Sequence, residues 1–319
     1  MLPQAGFSAC GMHCVKMLEF KKITLADFEI LKPFFEEHGG SAGIMLMWRN
    51  YYNTSYAIAD DTLIIKSEFE GETIFSMPIG KNCESALELI CEHAEDAGIK
   101  PVIGFVTAER LERLKELYEC DAKYDRDLAD YIYLAEDLAY MRGRRYSGQR
   151  GHINAFMKNY PDFEFKSIDN TTLPDVKEFY EHYLATRNKY AESFLAEAEI
   201  MPEIFDNLDL YGFETLVLYA DGKVAAFAMG ERVGDTLYEH IEKADASIRG
   251  SFQMIASGFA RTFIDGVTYV NREDDAGDEG LRKSKLSYHP CTLLEKYTVT
   301  LGGKRKDAQN GSKAEAYHA

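Results

Sequence analysis

The sequence predicts an α/β chain of the α+β kind, with two successive domains that are each a mixed, mostly antiparallel sheet flanked by helices. Three observations predict it. The chain has 319 residues, 46% of them hydrophobic, which suffices for two cores. One order of strand-period and helix-period segments occurs twice along it. Turn-forming pairs such as Asp221-Gly222 join alternating stretches in the antiparallel manner, because both residues tolerate positive φ.

In the first half "FKKIT" reads as a short strand and "LADFEILKPFFEEHGG" as an amphipathic helix closed by glycines. "GIMLMWRNYY" is a second helix. The strands "SYAIAD", "TLIIKSEF" and "ETIFSMPIG" follow, separated by Asp60-Asp61 and Glu70-Gly71. Next come a helix in "CESALELICEHAEDAG", the strand "PVIGFVT", the helix "ERLERLKELYE" and a last strand near "DYIYLAED". The second half repeats the order. "DFEFKSI" is a strand, and "LPDVKEFYEHYLATR" and "ESFLAEAEIMPEIFDNL" are helices. "ETLVLYA", "KVAAFAMGERV" and "TLYEHIEKAD" are strands, and "IRGSFQMIASGFARTF" is a helix. The strand "VTYVNRE", the helix "EGLRKSKLSYH" and the strand "LLEKYTVTL" complete it.

Domain limits follow from these elements. Residues 1–16 read as a disordered extension, 17–147 as the first domain and 163–301 as the second. Residues 148–162 form a connecting helix that ends before Pro161. Residues 302–319 are a polar tail.

Composition narrows the function classes. No apolar run approaches the roughly 20 residues that cross a bilayer, and the start lacks a signal-peptide pattern. The expectation is a cytoplasmic protein without a transmembrane segment. Scattered Cys83, Cys91, Cys120 and Cys291 suit reduced thiols. Cys10, His13 and Cys14 lack a second ligand pair downstream, so no zinc site is expected. The acidic loop before "EGLRKSKLSYH" has no EF-hand spacing, so no metal is expected there either. A net charge of −17 repels polyanions, and any such partner must meet a local basic patch. "MRGRRYSGQRGH" supplies one candidate, with Arg142, Arg144, Arg145 and Arg150.

Chemistry-bearing residues gather in the second half. The helix beginning at "ASIRGSF" has unpaired amides at its positive end, suited to an anion. Gly250 permits close approach there, Arg249 adds a cation and Ser251 a hydroxyl; a helix cap and a packing glycine explain the same residues. The first half's equivalent, "GKNCES", places Glu84 where a phosphate would sit, so that half is expected to be degenerate as a donor site. Strict alternation along "TLYEHIEKAD" puts Glu239 with Lys243 on one face and His240 with Glu242 on the other. Strand "VTYVNRE" delivers Asn271 and Glu273 to its C-terminal end, where α/β sheets place ligands. Arg282, Lys285 and Tyr288 follow at three-residue spacing along one helix ridge. Asp278 and Glu279 need no role beyond favouring the helix start.

The repeated order resembles the GNAT acyltransferase fold. "WRNYY" at 48–52, "GRRYSGQR" at 143–150, "EKADASIRGSFQMI" at 242–255 and "NREDDAGDEGLRKSKLSYHP" at 271–290 are similar to the C-terminal catalytic part of bacterial phosphatidylglycerol lysyltransferases, relatives of the Fem-type transferases. The resemblance spans roughly residues 17–301 and implies tandem GNAT-like domains. It further implies that an acyl or aminoacyl group moves from a phosphate-bearing carrier to an amine or hydroxyl acceptor between the domains. The carrier is acyl-coenzyme A or aminoacyl-tRNA, a co-substrate rather than a resident cofactor. The acceptor is a small molecule, a lipid head group or a peptide. Lys243, Ile248, Arg249, Gly250, Ser251, Asn271, Arg282 and Lys285 are the implied donor or phosphate ligands. Glu242 and Glu273 are candidate bases, and Tyr288 looks like the tyrosine that protonates the leaving group. A non-catalytic GNAT-like module binding coenzyme A or another anionic metabolite is the alternative.

Overall fold

The computed structural model describes residues 18–69, 71–186 and 192–306. Cys10, His13 and Cys14, the 1–16 extension and most of the 302–319 tail therefore lie outside the described residues. In chain order the first half contains β1 (Lys21–Lys22), α1 (Phe28–His38), α2 (Ala42–Trp48), β2 (Ser55–Ala59), β3 (Thr62–Phe69), β4 (Glu72–Ser76) and β5 (Ile79–Gly80). It continues with α3 (Cys83–Ala97), β6 (Val102–Thr107), α4 (Ala108–Leu117), β7 (Cys120–Tyr124), β8 (Asp130–Leu134) and α5 (Ala135–Tyr140). The connecting helix is α6 (Ser147–Asn159). The second half has β9 (Glu164–Lys166), α7 (Leu173–Thr186), α8 (Glu192–Asp206), α9 (Leu208–Tyr211), β10 (Glu214–Ala220), β11 (Lys223–Val233) and β12 (Thr236–Ala244). It ends with α10 (Ser251–Thr262), β13 (Tyr269–Asn271), α11 (Glu279–Ser287), β14 (Thr292–Leu294) and β15 (Lys296–Leu301).

Local chemistry explains several of these elements. Thr24 and Asp27 form a capping box ahead of α1, and buried Asp27 also accepts from Tyr56 Oη at 3.0 Å. Asp221 and Gly222 take φ of 49° and 72°, the two left-handed residues that a tight β10–β11 hairpin needs. Asp278 accepts from Leu281 N at 2.7 Å and so caps α11.

Two mixed sheets result. One runs β1-β2-β3-β4-β6-β15-β7, with β5 on β3; the other runs β14-β8-β13-β12-β11-β10-β9. Among the described residues only β4–β6 and β12–β13 pair in parallel; the other pairings are antiparallel. Neither sheet comes from one contiguous half. "DYIYL", read as the closing strand of the first half, is β8 and lies between β13 and β14 of the second sheet. "LLEKYTVTL", read as one strand, breaks at Glu295: β14 stays in the second sheet and β15 inserts between β6 and β7 of the first. Each half therefore lends a strand to the other.

The core follows the same logic. One apolar cluster joins Phe28, Leu31, Leu46 and Met47 of the first half to Tyr180, Ile204, Phe227 and Ile241 of the second. A second cluster packs α5, α6 and α10 on the outer face of the second sheet, and a third packs α3 and α4 on the first.

Candidate active site where two central strands part

Strands β12 and β13 pair only through Thr236–Tyr238 and Tyr269–Asn271; beyond that they part. A register shift between Met229 and Gly230 of β11, opposite Ile241 and Glu239, leaves His240 as an extra residue on β12. A Cβ at Gly230 would sit 1.9 Å from the Tyr238 carbonyl oxygen, so the bulge requires glycine. The bulge also breaks the expected alternation. Glu239 does not share a face with Lys243 apart from Glu242: Arg272 binds Glu239 through Nε at 2.9 Å and Glu242 through Nη2 at 2.7 Å.

Arg272 is thus buried in the wedge where the strands separate, 5.1 Å from the centroid of the Tyr288 ring. Burial, opposed by Arg272 and assisted by the Glu239 charge, pushes the Glu242 carboxyl up to about 8. Tyr288 is only 2% exposed, hydrogen-bonds Gln253 in the first turn of α10, and has its phenol pushed up by burial and by Glu242.

Glu273 is more open. It adopts φ of 56°, a strained conformation for a non-glycine residue, and is held there from several sides. Its amide donates to Asn271 Oδ1 at 2.7 Å, and its carbonyl accepts from Tyr131 N at 3.0 Å. Its carboxylate meets His240 Nδ1 at 2.6 Å. The other His240 nitrogen, Nε2, lies 3.1 Å from Glu231. Trp48, Tyr51, Tyr52 and Phe69 of the first half form a contiguous ring cluster. Burial, with the charges of Tyr51, Asp274 and Glu273, pushes the Tyr52 phenol up to about 12. Asp274 is itself pushed up to about 6, by burial and by Asp130 and Glu273. Lys296 on the exchanged strand β15 pairs with Asp130 at 2.5 Å.

The expected ridge on α11 is present, and it grips residues 272–275. Arg282 binds the fully buried Asp275 at 2.9 and 2.6 Å and Asp127 at 2.6 Å. Tyr131 Oη donates to Asp275 at 2.5 Å. Burial opposes the charged form of Asp275, but Arg282 and Tyr131 hold its carboxyl well below the usual range. Lys285 Nζ donates to the carbonyls of Arg272 at 2.5 Å and of Asp274, and burial lowers its pKa. The change from acidic loop to basic helix is therefore self-paired: the helix folds the loop that presents Glu273. Asn271 serves the same loop, donating to Asp130 at 3.0 Å.

The start of α10 is tightly built. At Gly250, φ is 92°, and an added Cβ would lie 2.3 Å from the His152 carbonyl oxygen and 3.0 Å from Phe156. Ser251 donates its hydroxyl to Asp245 O at 2.8 Å, and Ile248 accepts from Ser251 N at 3.2 Å. Lys243 pairs with Glu197 at 2.8 Å. Arg249 is exposed and makes no ion pair among the described residues. Gly250→Ala is expected to cost roughly 2–5 kcal/mol, from left-handed backbone strain plus the clash with α6, read as a lower urea midpoint. A phosphate-approach role alone would leave that midpoint unchanged.

The arginine cluster divides. Arg150 donates to the carbonyls of Met141 and Gly143 at 2.6 and 2.5 Å. Arg145 pairs with Asp137 at 2.5 Å, and Arg142 pairs with Glu136 at 3.5 Å while lying 4.5 Å from the Tyr140 ring centroid. Arg144 is exposed, with no ion pair among the described residues. In the first half, Glu84 lies in the first turn of α3 and pairs with Arg113 and Arg305.

Sequence reasoning missed Arg272 and Glu231. Arg272 stood inside the quoted "NREDD" stretch, yet nothing local marks the direction of its side chain. Glu231, at the end of β11, carries no motif at all.

Comparison with known proteins places the chain in a family. Residues 33–300 match the family described as phosphatidylglycerol lysyltransferase, C-terminal. The chain belongs to this family. It is similar to a structurally determined conserved protein of unknown function from Bacteroides thetaiotaomicron VPI-5482, with 32% identity and a TM-score of 0.83, over 89% of this chain and 100% of that one. The fold is shared with L-PGS from Bacillus licheniformis, at 15% identity and TM-score 0.59, over 88% of this chain and 94% of that one. It is shared equally with the C-terminal domain of a putative lysylphosphatidylglycerol synthetase from Agrobacterium fabrum, at 15% identity and TM-score 0.63, over 87% and 92%. An uncharacterised protein of Mycoplasmoides gallisepticum is 24% identical over 198 residues, a match that covers 61% of this chain and 63% of that relative's length. No helix among the described residues of this lysyltransferase-family chain is long and apolar enough to cross a membrane.

Proposed function

We propose that the protein is an aminoacyltransferase that moves an aminoacyl group from tRNA to an amine or hydroxyl acceptor in the cleft between the sheets. The observation that carries this reading is Glu273, strained and partly exposed just after β13, with Glu242 more deeply buried against Arg272. Two carboxyls set apart in this way suit a base and an acid. The acceptor's N–H or O–H attacks the ester carbonyl, and Glu273 takes its proton. The carbonyl–oxygen bond to the ribose breaks, and the departing oxygen takes a proton from the Glu242–Tyr288 cluster, whose carboxyl is pushed up to about 8. Developing charge on the carbonyl oxygen needs nearby cations or donors.

Filling of the β12–β13 wedge by Arg272 favours tRNA over acyl-coenzyme A, because a narrow acyl carrier would need that space. Arg144 and Arg249 flank α6, and their exposed heads are the phosphate contacts of this reading. The family's name suggests lysine as the aminoacyl group and phosphatidylglycerol as the first acceptor to try. Titration with lysyl-tRNA and, separately, coenzyme A at two salt concentrations tests the donor. Binding of tRNA should weaken steeply with salt, and Arg144→Ala and Arg249→Ala should each reduce the slope by about one. Salt-insensitive binding of coenzyme A without any transfer would favour the non-catalytic module instead.

A further inference from the structure

We infer that His240 is a positioning residue that fixes the Glu273 carboxylate in the cleft and ties it, through Glu231, to the start of α2 in the first half. The inference rests on the reading of Glu273 as the base. The β12 bulge supplies the extra residue that lets His240 face inward between the two carboxylates, with a side chain that is 0% exposed. Nδ1 meets Glu273 at 2.6 Å and Nε2 meets Glu231 at 3.1 Å, so the imidazole spans the gap between β11 and the loop after β13.

Glu231 is anchored in turn. It accepts from Gly43 N at 3.1 Å and from the Ser41 hydroxyl, at the first residues of α2. A Cβ at Gly43 would lie 2.8 Å from Glu231 Oε1 and 2.5 Å from the Phe213 ring, so this approach depends on glycine. Two aromatic rings also face the imidazole: Phe213 at 5.2 Å between centroids and Tyr238, on its own strand, at 6.2 Å. Among the described residues, Glu231, Glu273 and Tyr238 are the titratable groups in contact with it.

Burial disfavours the imidazolium, yet Glu231 and Glu273 together outweigh it and raise the pKa to about 9 from an ordinary 6.5. At neutral pH both nitrogens therefore donate. A displacement of α2 in this arrangement reaches Glu273 through three successive hydrogen-bonded links, α2 to Glu231, Glu231 to His240 and His240 to Glu273, which gives the first half a part in the chemistry without a ligand of its own.

The test is the NMR titration of the His240 imidazole in the full chain, paired with lysyl transfer from lysyl-tRNA to phosphatidylglycerol vesicles. The parent midpoint should lie near pH 9. Glu273→Gln should lower it by about one unit or more, a tenfold loss of proton affinity. Glu231→Gln, and Gly43→Ala acting from α2, should lower it too. His240→Phe should reduce kcat at least about tenfold with KM unmoved, and His240→Gln, which keeps one donor, should recover part of it. A parent midpoint near 6.5, or one indifferent to Glu273→Gln, overturns the clamp. An active parent whose kcat survives His240→Phe overturns the positioning role. A parent inactive in transfer that still shows the raised, Glu273-dependent midpoint supports the clamp and counts against the transfer reading alone.

Discussion

Divided at residue 162, the two halves are expected not to fold separately. The first would lack β15, which sits between β6 and β7 and, among the described residues, is the only strand that pairs with β7. The second would lack β8, which sits between β13 and β14 and, among the described residues, is the only strand that pairs with β14. Each fragment would expose an unpaired strand edge in the middle of its sheet. Each would also lose its share of the apolar cluster that joins Phe28 and Leu46 to Phe227 and Ile241. Stability of a domain is typically only about 5–15 kcal/mol, so losses on this scale leave no folded monomer. Produced together, the fragments should associate one to one and recover a cooperative unfolding transition. Dispersed amide spectra from either fragment alone would show that the exchanged strands are dispensable.

Arg272→Ala is expected to have the largest effect of any single substitution. Removing the guanidinium leaves Glu239 and Glu242 in a buried wedge without the cation that bridges them, and such a loss costs about 3–5 kcal/mol. Tyr288 loses the cation beside its ring as well. Arg272→Lys should rescue little, because Nε and Nη2 reach two different carboxylates and an ammonium is a single point. The effect should shrink as pH falls and the carboxyls take up protons. Neutralising the whole group, with Arg272→Met, Glu239→Gln and Glu242→Gln together, should restore much of the stability while abolishing transfer. Urea unfolding of the four proteins at pH 5 and pH 8 measures this. A single Arg272→Ala variant as stable as the parent at pH 8 would mean that the wedge is wetter than the structure indicates.

Much of the fold is legible in the sequence because it rests on local rules. Asp221-Gly222 announces its hairpin through backbone tolerance, and Asp278 announces α11 through capping. The membership of the sheets is not legible. "DYIYL" and "KYTVTL" declare themselves strands by their side-chain pattern, yet periodicity says nothing about which neighbour a strand pairs with. The site divides in the same manner. The spacing of Arg282, Lys285 and Tyr288 places them on one ridge, and the structure puts that ridge against residues 272–275. Their partners were beyond sequence reasoning: Lys285 holds backbone carbonyls, and Arg282 holds Asp275. One extra residue in β12 also moved Glu239 to the side of Glu242, because a bulge cancels the two-residue period. A bulge leaves no compositional mark except Gly230 on the facing strand.

The central claim is that the carboxylate of Glu273 takes the acceptor's proton during aminoacyl transfer. Its most direct test is single-turnover transfer from lysyl-tRNA to phosphatidylglycerol vesicles by the parent and by Glu273→Gln, with tRNA affinity measured alongside. The account predicts a fall in rate of about 100-fold or more, in the range lost with a general base, at unchanged affinity. A Glu273→Gln protein that transfers at nearly the parent rate would contradict it.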